Sequence, residues 1–504
     1  MAEILGGLAS ALTLTGLLAM IAGLAWGTVG GALPGVSGPQ AMALLLPLTF
    51  GMDTATALLL LAGVWTGANY GGSIPAILIR SPGTASSAAV ILDGYQLVRQ
   101  GRAGKALGVS LVCGSIGGLI SVVMLAVLLG PLERVVLSFG SPEIFALTLF
   151  ALTVISSLTG PSVTKGIASA LFGLFLATVG LDQIAGMPRF TFGRPELLSG
   201  FSLVAVIIGL FAVSEMLRLV AEPPVRPTAV DRRVNTELPT VRELLALWRA
   251  TAIGSVVGMI IGAAGAGGPV SSFVAYGEAK RWSKRPEQFG KGSMEGVAAP
   301  ETANNSDQGS ALVPALALGV PGSPSAAIIL AALILHGIQP GPALLQRNTD
   351  LLFTFFAALI VVQFLMLPVG MLILRLCIEL VSVRPPILAT AVLVLSMIGT
   401  YALNLSVFDA AVALLFGVVG YAMRSLGFSP AAAVLGLVLG FIMEGELRRS
   451  MLISFGDPGV FLARPITLTL LVLAALVLLR PLLGRALAAV RPASPAVRGP
   501  DGRR

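Results

Sequence analysis

The chain alternates long apolar runs with short polar interruptions. Residues 4–52, 106–132, 250–277, 308–346, 351–374 and 385–408 contain no Asp, Glu, Lys or Arg. A helix needs about 20 apolar residues to cross a bilayer. Several runs therefore predict one span each, and the longest hold more than one element. Together they predict an all-α multispanning membrane protein of about ten to twelve membrane elements. The first half reads as a long helix ending at Leu33-Pro34-Gly35, a segment at 41–50 and another at 55–79. A short apolar piece and a polar turn at Asp93-Gly94 follow, then spans near 106–132, 144–157, 163–181 and 201–212. The second half opens with 250–265 and closes with further spans between 351 and 483, where Glu444, Glu446, Arg448 and Arg449 mark a loop.

Residues 222–243 break this pattern with Glu222-Pro223-Pro224, Pro227, Asp231-Arg232-Arg233 and Pro239. Such polarity and proline content predict an extramembrane linker. It separates a first transmembrane half, 1–221, from a second, 244–490. The Pro/Gly/Arg-rich tail, 491–504, is expected to be disordered.

One motif occurs in both halves. Pro75-Ala76-Ile77-Leu78-Ile79-Arg80-Ser81-Pro82-Gly83-Thr84 aligns without a gap with Pro314-Ala315-Leu316-Ala317-Leu318-Gly319-Val320-Pro321-Gly322-Ser323. Pro and Gly break helices, and in a bilayer a break is tolerated only where the freed backbone is buried in protein or lines a polar cavity. Helix breaks in corresponding halves point to a transporter's binding site. A plain proline kink is the competing reading for either copy alone. A weaker echo pairs Pro34-Gly35-Val36-Ser37-Gly38-Pro39 with Ala264-Gly265-Ala266-Gly267-Gly268-Pro269. The order of the two motifs is the same in both halves, as in a duplicated unit. Whether the copies run parallel or inverted depends on the parity of the spans between them.

Composition supports the membrane reading and removes other functions. The 504 residues are 56% hydrophobic and 11% charged, with mean hydropathy +0.93, whereas soluble domains carry roughly 25% charged residues. The net charge of +8 sits in loops and at the C-terminus, as cytoplasmic segments of a membrane protein require, and is no sign of nucleic-acid binding. Cys113 and Cys377 lie in apolar runs and read as small buried hydrophobes. The start Met1-Ala2-Glu3 lacks a basic stretch, so the first apolar run is expected to be a retained span. A single histidine, His336, excludes a His-Glu-x-x-His zinc site, and no Gly-x4-Gly-Lys-Ser/Thr phosphate loop occurs. No cofactor and no enzymatic activity are expected.

Candidate chemistry centres on the breaks. Where a half-helix restarts after Pro82-Gly83 or Pro321-Gly322, free backbone N–H groups and a partial positive charge face the gap. Thr84 and Ser323 stand at those restarts and can hold a carboxylate without a cation. Asn69 and Ser73 precede the first break. Asn304 and Asn305 close a polar stretch, 278–307, whose first part reads as a basic loop. These amides either donate to a substrate or cap a helix in a wet loop. Arg80 either pairs with a substrate anion or snorkels to the interface; Asp53 and Asp93 read as turn caps.

These segments resemble the large permease subunit of the tripartite tricarboxylate transporters, the TctA-type family. The resemblance rests on Leu33-Pro34-Gly35, the run from Ala43 to Asp53, Tyr70-Gly71-Gly72-Ser73-Ile74, Pro82-Gly83-Thr84, Leu92-Asp93-Gly94-Tyr95 and Gly101-Arg102-Ala103-Gly104-Lys105. In the second half it rests on Phe289-Gly290-Lys291-Gly292, Glu295 to Glu301 with Asn304-Asn305, Pro321-Gly322-Ser323 and His336-Gly337-Ile338-Gln339-Pro340-Gly341-Pro342. It implies a secondary transporter in the bacterial inner membrane, built from two inverted repeats with broken or re-entrant helices. It implies import of small carboxylates, of the di- or tricarboxylate class, coupled to Na⁺ or H⁺. A small membrane subunit and a periplasmic solute-binding protein are the implied partners, and the lipid bilayer its setting. The alternative is an ion-coupled transporter or channel that uses no binding protein. Two departures stand out: Ala264-Gly265 replaces a usual Pro-Gly, and Ser306, Asp307 and Gln308 replace small residues, placing an acid and an amide beside Asn304-Asn305.

Overall fold

A computed structural model describes residues 2–33, 36–136, 139–158, 162–182, 186–221, 234–265, 267–341, 344, 347–380 and 385–490. The expected break at Pro34-Gly35, linker residues 222–233, Pro342 and the tail 491–504 lie outside these. In chain order the helices are α1 (Ala2–Ala11), α2 (Leu14–Ala32), α3 (Gly38–Thr49), α4 (Thr54–Ile79), α5 (Ile91–Arg99), α6 (Ala103–Val136), α7 (Ser141–Leu158), α8 (Val163–Ala177), α9 (Leu203–Ala221, with a π-helical stretch Ile208–Val213), α10 (Val241–Ala263) and α11 (Gly267–Trp282). Then come α12 (Glu295–Leu318), α13 (Pro324–Leu335), α14 (Thr349–Leu380), α15 (Pro385–Asn404), α16 (Val407–Ser425), α17 (Pro430–Ile453), α18 (Val460–Ala463) and α19 (Pro465–Val490). Among the described residues, seven helices are long and apolar enough to cross a membrane: α2, α6, α9, α10, α14, α16 and α17. Exposed Leu14 and Leu18 on α2, and Phe364 and Leu372 on α14, give the bundle the apolar outer surface that lipid requires.

Local chemistry shifts several expected boundaries. The first helix is interrupted because the Thr13 hydroxyl accepts the Gly16 N–H at 3.2 Å and starts α2 afresh. Thr240 and Glu243 form a capping box that begins α10 inside the expected linker. Glu444, Glu446, Arg448 and Arg449 are not a loop but late turns of α17. Their charges are paired: Arg448 contacts Asp182 at 2.6 Å and Arg189 contacts Glu444 at 2.6 Å, beside a small hairpin of Gly180–Leu181 and Pro188–Arg189. Asn304 and Asn305 lie not at a cap but in the middle of α12, so the end of the 278–307 stretch is the first half of a buried helix.

Two long helices form the centre. Every residue from 57 to 78 of α4 and from 296 to 312 of α12 is buried. Glycine spacing brings each against a partner. Gly23, Gly27 and Gly31 of α2 lie on the α4 backbone; a Cβ at Gly27 would stand 2.1 Å from the Val64 carbonyl oxygen. Gly254, Gly258 and Gly262 of α10 lie in the same way on α12; a Cβ at Gly258 would stand 2.4 Å from the Ala303 carbonyl oxygen. Small residues at four-residue spacing let helix backbones approach in this way.

The two Pro-Gly breaks are built alike. α4 ends on Arg80 in the left-handed region (φ 59°), and α12 on Gly319 (φ 72°). Ser81 N–H then donates to Pro75 at 3.3 Å and Gly83 N–H to Gly72 at 3.0 Å. In the second copy, Val320 N–H donates to Pro314 at 3.2 Å and Gly322 N–H to Ala311 at 3.2 Å. Donors and acceptors occupy equivalent positions, which makes Asn304 the counterpart of Trp65 and Asp307 the counterpart of Ala68. The copies also pack reciprocally: α3 contacts α13, and α11 contacts the 3-10 turn Ala85–Val90 that leads into α5.

Candidate functional site

A cavity of about 420 Å³ opens where the copies meet. Its wall includes Ser37, Gly38 and Pro39 at the start of α3, and Thr84, Ala85 and Ser86 at the 3-10 turn. The second copy adds Gly267, Gly268 and Pro269 at the start of α11, and Ser323, Pro324 and Ser325 at the start of α13. Four helical beginnings thus converge on one space. Each leaves backbone N–H groups without intrahelical partners and carries a partial positive charge. Ser323 caps α13 by accepting the Ala326 N–H at 3.2 Å, which leaves its own proton free to donate. Among the described residues, no Lys, Arg or His belongs to the lining.

Of the residues expected from the sequence, Asn69, Thr84, Asn304 and Ser323 line this cavity. The Asn69 side-chain amide donates to the Asn304 carbonyl at 3.4 Å. Asn304 is 3% exposed and its Nδ2 has no hydrogen-bond partner. Ser73 lies behind the wall and donates to Ser87 at 3.2 Å, while Ser87 and Thr84 share a 2.8 Å hydroxyl contact. Pro82, Gly83, Pro321 and Gly322 shape the two turns through their backbones. A Cβ on Gly83 would stand 2.0 Å from the Gly31 carbonyl oxygen, so only glycine lets the first turn close. Asn305 is turned away: its Nδ2 donates to the Glu301 carbonyl at 3.0 Å and lies against Gly114 of α6.

The other polar candidates are structural. Arg80 is exposed at the end of α4 and does not line the cavity. Asp53 caps α4, and the Thr56 backbone N–H holds its carboxyl below the usual carboxylate range. Asp93 is fully buried and joins the halves. It accepts N–H groups of Gly290, Gly292 and Ser293 at 2.7–2.9 Å and the Tyr276 hydroxyl at 2.9 Å. His336 ends α13. Cys113 and Cys377 are free and buried.

Sequence reasoning read Asp307 as an added acid beside Asn304-Asn305 that changes the preferred substrate or ion and did not place it in the site; it lines the cavity, is 5% exposed and has Oδ1 without a partner. The available signal was helical spacing: residues three apart share a face, so Asn304 and Asp307 point the same way. The cavity therefore joins an unpaired amide donor, an unpaired carboxylate acceptor and four positive helix ends. Backbone N–H groups and hydroxyls placed in this way can hold a small anion.

A model of the family described as "Tripartite tricarboxylate transporter TctA family" matches residues 17–435. The chain belongs to this TctA family. An uncharacterised 52.8 kDa protein of the TAR-I ttuC' 3' region of Agrobacterium vitis is 37% identical over 466 residues, 92% of this chain and 93% of that protein. A second uncharacterised Agrobacterium vitis protein, of the TAR-II ttuC' 3' region, is 35% identical over 218 residues, 43% of this chain and 89% of its own length. No solved structure matches. The matched TctA region contains both breaks and all four helix starts around the cavity. The chain is a multi-pass membrane protein of a transporter family.

Proposed function

We propose that this TctA-family chain is the large permease subunit of a binding-protein-dependent secondary transporter in a bacterial inner membrane. It imports small organic carboxylates of the di- or tricarboxylate class by cation symport. A periplasmic solute-binding protein delivers the substrate, and a small membrane subunit completes the assembly. The observation that carries this reading is the convergence of four helix starts on one cavity whose described lining has no basic side chain.

Substrate carboxylates meet backbone N–H groups, the Thr84 and Ser323 hydroxyls and the Asn304 amide. Asp307 repels a fully ionised solute, so the solute enters together with a cation; this is the physical basis of symport here. Alternating access then moves one structural group against another around the fixed site.

The test is uptake of labelled citrate and succinate by the whole assembly at matched membrane levels. A hydrogen bond to a charged group contributes about 1.5–3 kcal/mol, so Asn304→Ala and Thr84→Ala are each expected to weaken apparent affinity roughly tenfold or more. Wild-type uptake from both variants overturns the site assignment.

A further inference from the structure

Glu301 lies outside the cavity, one turn before Asn304, where α12 meets α4 and α6. It is 1% exposed, and neither carboxylate oxygen has a hydrogen-bond partner. An ionised carboxylate there would be uncompensated, a heavy desolvation cost that protonation avoids. An ionisable side chain inside a membrane bundle is retained for function rather than for packing.

Its surroundings suit a neutral, protonated acid. The hydroxyls of Ser73 on α4 and Ser110 on α6 stand beside it without meeting bonding geometry, and the Ser110 hydroxyl is itself unpartnered. The titratable neighbours are Tyr70 on α4 and Cys113 on α6, both uncharged groups. From α10 comes Thr251, spent on Cys113. From α5 and α11 come Asp93 and Tyr276, bonded to each other and placed toward the start of α12. On α12 itself Glu295 bonds Ser283, and Asp307 faces the cavity. No charged group acts on Glu301 among the described residues.

A row of hydroxyls leads from this acid to the cavity. Ser73 beside Glu301 donates to Ser87 at 3.2 Å, and Ser87 lies 2.8 Å from Thr84, which lines the cavity. We propose that Glu301 carries the coupling proton and that Ser73, Ser87 and Thr84 pass it between Glu301 and the cavity. Once the Ser73 hydroxyl, which does not bond Glu301 at rest, turns to meet it, the transfer is a concerted hop. The Glu301 O–H breaks as a Ser73 O–H forms, each hydroxyl hands on its own proton, and the last goes to the solute carboxylate or water at Thr84. The hydroxyls end with the atoms they began with. A proton needs no room, whereas a metal ion needs a shell of oxygens, and neither Glu301 nor Ser73 borders the cavity. For transport this rests on the uptake reading above; as a titrating site it stands alone.

The first experiment treats the purified full-length wild-type chain with dicyclohexylcarbodiimide, an apolar reagent for buried protonated carboxyls, and locates the adduct by mass spectrometry. Labelling of Glu301 that falls as the pH is raised, and is indifferent to sodium, is the expected result. Protection by sodium at constant pH, or no adduct on Glu301 at any pH, overturns the proposal. The second experiment follows citrate in membrane vesicles holding the whole assembly. Glu301→Gln is expected to lose accumulation driven by a pH gradient while keeping exchange of internal for external citrate, and Ser87→Ala to slow the accumulation. Wild-type accumulation by Glu301→Gln also overturns the proposal. If the wild type moves no citrate while Glu301 labelling still titrates, the uptake reading fails and the proton site stands.

Discussion

At the scale of the residue, the site is decided by which face of α12 each side chain occupies. Asn304 and Asn305 are neighbours in sequence, but about 100° separates successive residues on a helix. One reaches the cavity, while the other turns toward α6 and is spent on the Glu301 carbonyl of its own helix. Their adjacency hid this difference, because nothing in the sequence fixed the rotation of a helix whose every side is polar or small. Thr84 and Ser323 were legible because Pro-Gly pins the restart of a half-helix. Asp307 was visible only as an acid and gained meaning from its place three residues after Asn304. Among the described residues it is the one acidic side chain in a lining of helix starts. Asp307→Asn is therefore expected to keep uptake but weaken its cation dependence, with tighter binding of the carboxylate. Initial rates across a series of sodium concentrations and pH values check this; an unchanged cation dependence rejects a role for Asp307 in balancing charge.

At the scale of the element, polarity misled and small residues informed. The 278–307 stretch contradicts the apolar rule for a span, yet its end, from Gly296 onward, is wholly buried. Neighbouring helices supply partners that lipid cannot: Thr302 bonds the Cys113 carbonyl at 3.2 Å, Ser306 the Gly117 carbonyl at 3.0 Å, and Ser121 accepts the Gly309 N–H at 3.1 Å. The sequence carries a third signal of duplication in Gly23, Gly27 and Gly31 against Gly254, Gly258 and Gly262. Its meaning appears only when both triplets rest on a broken helix. Gly27→Val would drive a side chain into the α4 backbone, where even a Cβ stands 2.1 Å from an oxygen. It is expected to abolish monodisperse protein in size-exclusion chromatography, whereas normal yield and melting temperature would show that α2 and α4 can separate without harm.

At the scale of the whole molecule, the copies exchange contacts: α3 of the first packs on α13 of the second, and α11 of the second on the 3-10 turn of the first. Sequence repetition announced two copies but left their mutual placement open, because a motif records what is near it along the chain and not what lies opposite. If the cavity opens to the two membrane faces in turn, a thiol on its wall must change sides. Cys113 and Cys377 are both buried, so Ala85→Cys places a reactive thiol at the cavity rim. Citrate is expected to slow its labelling by an impermeant reagent from one face and to speed labelling from the other. Labelling from one face alone, unaffected by citrate, argues against alternating access. The copies are also unequal partners. Trp65 and Asn304 occupy equivalent places and both border the cavity, one bulky and the other polar. If transport runs through this chamber, trimming the indole would widen its menu while leaving the amide on the opposite arm intact.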